Sequence, residues 1–178
     1  VSQPKLKSEI LAALRSNADA IASYFAAQPE SVLFTGDPDH WGPAHHLRHL
    51  ALSSQAIGRG MKKSDLPLHP SGRSRGYGEL IGAATSALQA APKQLLLERG
   101  RVVVLAPGTN RADLVDEYRA AAADLCAAAD RWSEDELDQR ALSHPYLGGL
   151  TVREMLLFCV FHERHHLRLV STRLETAR

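Results

Sequence analysis

The chain has 178 residues, of which 44% are hydrophobic and 23% charged, and its formal net charge is +1. That balance gives no reason to expect nucleic acid or an anionic membrane as a partner. No apolar run nears the ~20 residues that span a bilayer, and the opening VSQPKLKSEI lacks an apolar signal core. One cytoplasmic domain over residues 1–178 is the expectation.

The predicted elements are helical. The first helix should occupy residues 4–27, with Pro4 in its first turn and Leu6, Ile10, Leu14, Ile21 and Phe25 at helical spacing. Pro29 stops it. A second helix is expected over 43–60, with Leu47, Leu50 and Ile57 on its apolar stripe, Arg48, Gln55 and Arg59 on its polar strip, and His49 on the flank of the apolar arc. Residues 65–78 read as a turn-rich loop and 79–91 as a short helix. RVVVLAPG, from Arg101, reads as a lone extended segment lying over the bundle. No sheet is expected, because a strand without a partner is marginal.

The next long helix should span 110–132, capped by Asn110, with Leu114, Tyr118, Ala121, Leu125, Ala128 and Trp132 buried. Ser133 and Glu136 have capping-box spacing and open a short helix ending near Arg140. After SHPYLGG, Thr151 and Glu154 form a second box and open a final helix over 151–173. Met155, Cys159, His162, His166 and Leu169 share its inward face. Four long helices make an all-α, antiparallel four-helix bundle with a long crossover and a loop-plus-short-helix insert. Cys126 and Cys159 lie inside helices and read as buried free thiols, in keeping with a reducing compartment.

Seven of the nine histidines fall in two clusters: His40, His45, His46 and His49, then His162, His165 and His166. His162 and His166 are four apart, so they project from one helical face about one turn apart. His49 comes from a different helix. Each buried imidazole needs a partner for its ring nitrogens, and one divalent ion can serve several rings at once. His49, His162 and His166 are therefore the candidate metal ligands, with coordination positions left open. His165 is ~100° from His166 and belongs at the site's edge or in solvent. His45 and His46 are expected on the exposed rim of the second helix. His40 and His69 are loop residues, and His144 could approach the site through the last loop. Glu163 is expected on the solvent side or in a salt bridge.

WGPAHHLRHLALS and WSEDELDQRALSHPYLGGLTVREMLLFCVFHERHHL resemble, in pattern and order, two blocks of the DinB-like family of small four-helix-bundle metalloproteins. The resemblance spans residues 41–168. It maps the family's ligands to His49, His162 and His166, and SRGYGELIGAATSALQAAPKQLL is similar to an insert of one family branch. Family members often carry a glutamine four residues after the last ligand, where this chain has Val170. The resemblance implies a divalent metal, often nickel or zinc, and a homodimer, which the wide apolar arcs also favour. Some relatives use low-molecular-weight thiols such as bacillithiol or mycothiol.

The leading expectation is accordingly a metal-dependent, thiol-dependent S-transferase acting on a small-molecule substrate. Three neutral imidazoles leave the ion's charge uncompensated, and a bound thiol would be held as thiolate. Arg73, Arg75 and Arg111 are candidates to grip carboxylates of such a thiol, against a plainer role as loop arginines. The alternatives are a metal-dependent hydrolase, with Glu163 as the nearest carboxylate, and a non-catalytic metal-binding bundle.

Overall fold

Nine elements follow one another in the computed structural model, which describes residues 3–36, 40–90 and 103–176. They are α1 (Lys7–Ala26), α2 (Glu30–Leu33), α3 (Pro43–Met61), α4 (Tyr77–Ala90), α5 (Arg111–Asp130), α6 (Glu134–Gln139), β1 (Ala141–His144), β2 (Gly148–Thr151) and α7 (Val152–Thr176). The chain is mostly helical, and α1, α3, α5 and α7 are the four long helices of the expected all-α bundle.

Side-chain pairings set their directions. Lys7 meets Asp130 and Trp132 at one end, and Arg111 meets Gln28 at the other, so α1 and α5 run antiparallel. His46 faces His166 and His49 faces His162, so α3 and α7 are antiparallel too. The other two pairs run the same way. Arg48 and Gln55 reach Glu117 while Met61 reaches Trp132, which makes α3 and α5 parallel. Lys5 meets Arg153 and Asn17 meets Val160, which makes α1 and α7 parallel. Parallel neighbours need a connection that returns the length of the bundle, and α3 and α5 are separated in the chain by residues 62–110.

The helices begin where local chemistry provides for their free N–H groups. Asn110 caps α5 by accepting from the Asp113 N–H, and Ser133 and Glu136 exchange bonds at the start of α6. Thr151 and Glu154 do the same for α7. Glu9 accepts the N–H groups of Lys5 and Leu6, so α1 starts at Lys7 and Pro4 lies before it, outside the first turn. Leu6, expected on the buried stripe, is consequently 56% exposed.

Two apolar clusters fill the interior. One joins Ile10, Leu14, Met61, Leu125, Trp132, Met155 and Phe158; the other joins Ile21, Phe25, Leu47, Leu50, Leu114, Tyr118 and Val170. Each large side chain so buried contributes roughly 1.5–3 kcal/mol. The buried stripe expected of α5 is present in full. Arg48 and Gln55 lie against Glu117 of α5, so part of the expected polar strip of α3 belongs to a helix interface.

The structure corrects the expectation of no sheet. Residues 141–151 form a two-stranded antiparallel hairpin, with Ala141 opposite Thr151 and His144 opposite Gly148. Gly148 has φ +72°, a left-handed conformation that glycine adopts without strain. The hairpin does not stand alone: Ala141 N–H donates to the Pro67 carbonyl, and Leu150 is fully buried. Arg101 and Val102 of the expected extended segment lie outside the described residues. The rest of it carries no strand; Val103 is buried and Leu105 packs on the second cluster. Among the described residues no helix is long and apolar enough to cross a membrane.

Candidate metal centre

The antiparallel crossing of α3 and α7 brings His49, His162 and His166 together. The Nε2 atoms of His49 and His162 are 3.0 Å apart, and those of His166 and His162 are also 3.0 Å apart. One ligand nitrogen from each of the three rings lies within 4.8 Å of the others, and this trio could hold a metal ion. Two nitrogens each ~2.0–2.1 Å from one ion are separated by roughly 3–3.4 Å, so the spacing suits a shared divalent ion with little rearrangement. The donor set is chemically uniform: three imidazoles and no carboxylate.

Burial tunes these rings for ligation. Desolvation lowers the pKa of His49 to about 4. Desolvation, then the neighbouring histidines, holds His162 and His166 well below the ordinary value. All three are therefore neutral at pH 7, with a lone pair ready and no proton to displace.

Aromatic rings wall the trio. The Trp41 ring packs on His49 at 5.1 Å and edge-on to His46 at 5.3 Å. Arg173 donates to the Trp41 carbonyl at 3.1 Å, fixing the segment that leads into α3. Phe158, one turn before His162, stacks on its ring at 5.5 Å with a 16° tilt. His144 in turn packs against Phe158 at 4.8 Å, and its Nδ1 accepts from the Tyr146 and Leu147 N–H groups. The hairpin thus carries His144 to one ring's distance from the trio. His165 stacks on Phe161 at the half-buried edge, where it was expected. His40 is in an exposed bend and His69 bonds Ser71 in the loop after α3.

Two expectations about α3 are overturned. His45 and His46 are not on an exposed rim; they are 5% and 7% exposed. The reason is the tertiary setting of the helix start. His45 Nδ1 accepts the Gly42 N–H at 3.3 Å, taking the role that a glutamate plays in a capping box. Gly42 itself has no room for a side chain, because a Cβ there would lie 1.6 Å from the Thr35 carbonyl oxygen. The preceding loop therefore covers the first turn of α3. His46 lies one turn before His49, and its Nδ1 is 2.8 Å from His166 Nδ1.

Glu163 is a further correction. It is 2% exposed, and its carboxylate turns toward α1 and α5. Asn17 Nδ2 donates to one of its oxygens and the Tyr118 hydroxyl to the other, each at 3.1 Å. Burial raises its pKa to about 7, against the opposing pull of these two donors and Arg164. One-residue spacing from His162 turns it toward α1 and α5, which a sequence view of α7 alone does not show. Leu169, expected on the inward face, is 38% exposed, and Val170 is buried instead.

Of the remaining candidates, the two cysteines, Arg75 and Arg111 are engaged within the scaffold. Cys126 and Cys159 are buried free thiols whose pKa burial pushes up, so neither is a thiolate at neutral pH. Arg75 pairs through Nε and Nη2 with both oxygens of the buried Glu154. Burial alone would raise the Glu154 pKa, but Arg75 and the Thr151 N–H outweigh it and hold it low. Arg111 donates to the Gln28 carbonyl. Arg73 lines a cleft of about 470 Å³ with Ser71, Arg75, Glu79 and Glu154, and none of the three histidines lines that cleft.

A family model described as the DinB superfamily matches residues 11–170. The fold also matches a solved crystal structure, TT2238, described as a four-helix bundle protein. Its TM-score is 0.59 at 16% identity, over 93% of this chain and 98% of that one, a likeness that bears on the fold alone. No curated protein matches the chain.

Proposed function

The chain belongs to the DinB superfamily, and from that premise we propose that it is a metal-dependent S-transferase using a low-molecular-weight thiol. The proposal assigns one divalent ion, nickel or zinc, to His49, His162 and His166. One observation carries it: three neutral imidazole nitrogens converge with no carboxylate among them. An ion held there would supply an uncompensated positive charge that keeps an incoming thiol in its nucleophilic, deprotonated form. The thiol must come from outside, because Cys126 and Cys159 are buried in the core with raised pKa values. Trp41 and Phe158 flank the trio and would limit water around the reacting sulfur. The sulfur then bonds to the electrophile's carbon as that carbon's leaving group departs.

The hydrolase reading needs a base beside the ion. Glu163 does not serve, since both its oxygens are taken by Asn17 and Tyr118. A homodimer and a cytoplasmic location belong to the same proposal, on family precedent; sedimentation at micromolar concentration showing a monomer removes the first.

The test is spectroscopic and then chemical. Cobalt-substituted protein is titrated with mycothiol, bacillithiol and glutathione, and a sulfur-to-cobalt charge-transfer band is expected with at least one. The responding thiol is then incubated with a chlorinated aromatic electrophile, and the thioether is followed by mass spectrometry. A metal site whose spectrum no thiol perturbs sinks the transferase reading. Metal binding that raises stability with no turnover of any kind would leave a non-catalytic bundle.

A further inference from the structure

We propose that His46 is a positioning residue that fixes the ring tautomer of His166 and thereby makes Nε2 of His166 available to a metal. The inference rests on the three-histidine reading of the centre. The geometry is specific. His166 turns Nε2 toward His162 at 3.0 Å and Nδ1 toward His46 Nδ1 at 2.8 Å. A neutral imidazole carries one N–H, so a ring that ligates through Nε2 must hold its hydrogen on Nδ1. That Nδ1–H has its partner in His46 Nδ1, which must then accept. The hydrogen of His46 is driven to its own Nε2.

The far end of His46 has no partner among the described residues that would account for an imidazole at this position. His46 is 7% exposed, and its Nε2 is a buried nitrogen with no hydrogen-bond partner among the described residues. A buried polar atom left unpaired is costly, and an apolar side chain of similar size would avoid that cost. Packing therefore gives no reason for an imidazole here, whereas the contact at its other nitrogen does. Histidine ligands normally pass their second N–H to an oxygen acceptor, and this chain uses a second imidazole instead. Because either nitrogen of His46 can carry the hydrogen, the pair has two arrangements, and only one leaves His166 Nε2 bare.

The test uses the full chain loaded with zinc, which is diamagnetic. Long-range proton–nitrogen correlation spectra should show His166 protonated on Nδ1 and His46 on Nε2. Zinc affinity is then measured by competition with a chromophoric chelator. His46→Phe keeps a ring but removes the acceptor, and is expected to weaken zinc binding about 10- to 100-fold. His46→Asn places a carbonyl oxygen near the position of Nδ1 and is expected to recover most of that loss. Wild-type affinity in His46→Phe, or His46 protonated on Nδ1 in the zinc-loaded wild type, overturns the proposal. The spectra need no variant, so they decide even if His46→Phe misfolds. Wild-type protein that binds no zinc overturns the metal reading itself; wild type that binds normally alongside an unaffected His46→Phe overturns only the role of His46.

Discussion

Each of the three convergent imidazoles has a separable role that substitution can read. His49→Ala, His162→Ala and His166→Ala each remove one ligand, and each is expected to weaken zinc or nickel binding by more than about 100-fold in chelator competition. His69→Ala, in a loop away from the trio, should leave affinity unchanged. His165→Ala is the close control, since His165 stacks on Phe161 beside a ligand; if it abolished binding while His166→Ala did not, the facing of α7 would be wrong. Glu163 gives a second residue-level test. Glu163→Gln can keep an acceptor for Asn17 and a partner for Tyr118, so it should fold with near wild-type stability. Glu163→Ala leaves the buried Asn17 amide and Tyr118 hydroxyl unpaired beside a cavity, and should cost roughly 2–4 kcal/mol in urea unfolding. Equal destabilisation by both variants would show that the charge, not the hydrogen bonds, is what the site needs.

Among the elements, α3 bears most on the centre, because its start sets where His46 and His49 lie. Two glycines, one capping α3 and one within it, make a contrasting pair. A Cβ at Gly42 would overlap the Thr35 carbonyl oxygen, so Gly42→Ala must displace the loop that carries Trp41 against the histidines. Gly58 is mid-helix, and a Cβ there would meet Leu125 Cα at 3.5 Å, an ordinary contact. Gly58→Ala should therefore be neutral or stabilise by up to about 1 kcal/mol through helix propensity. Gly42→Ala should lower both the thermal midpoint and metal affinity. If calorimetry ranked the two variants the other way, the tight loop–helix contact would be wrong. The final helix is anchored at its other end: Arg153 reaches Asp138, Glu134 and the Lys5 carbonyl, joining α7 to α6 and to the segment before α1.

For the molecule as a whole, the metal and the pH dependence of folding are coupled through the same rings. An ion bound by the folded form alone, at 100 times its Kd, adds about 2.7 kcal/mol. For a chain of this size that is a rise of roughly 5–10 °C in Tm, which calorimetry with and without chelator would measure. An unchanged Tm would mean that no ion is bound. In the chelated protein, the buried histidines resist protonation while the unfolded chain takes up protons below about pH 6.5. The folded pKa of His46 and His49 is about 4, and those of His162 and His166 are well below the ordinary value. The unfolded state thus binds more protons between pH 4 and 6.5, and stability must fall as pH falls through that window. Glu163 acts oppositely, since its folded pKa of about 7 favours the folded form as pH falls. Four histidines outweigh one glutamate, so the urea midpoint at pH 5 should lie below that at pH 7. A higher midpoint at pH 5 would contradict the neutral, desolvated state of the rings.

The helices and the three convergent histidines were legible in the chain itself. Apolar spacing at 3.6 residues and side-chain caps at Asn110, Ser133 and Thr151 are local signals, and local geometry obeys them. The i, i+4 spacing put His162 and His166 on one face, and amphipathicity turned His49 inward. What lay beyond local pattern was decided by neighbours distant in sequence. His46 is buried because α7 and the Trp41 loop cover it, and Glu163 is buried because α1 and α5 bring Asn17 and Tyr118 to it. The hairpin at 141–151 does not stand alone: the loop after α3 passes beside it, and the Pro67 carbonyl accepts the Ala141 N–H. Periodicity reports which residues share a face; which other face they meet is fixed only when the helices pack, and this is where the partner of His166 comes from.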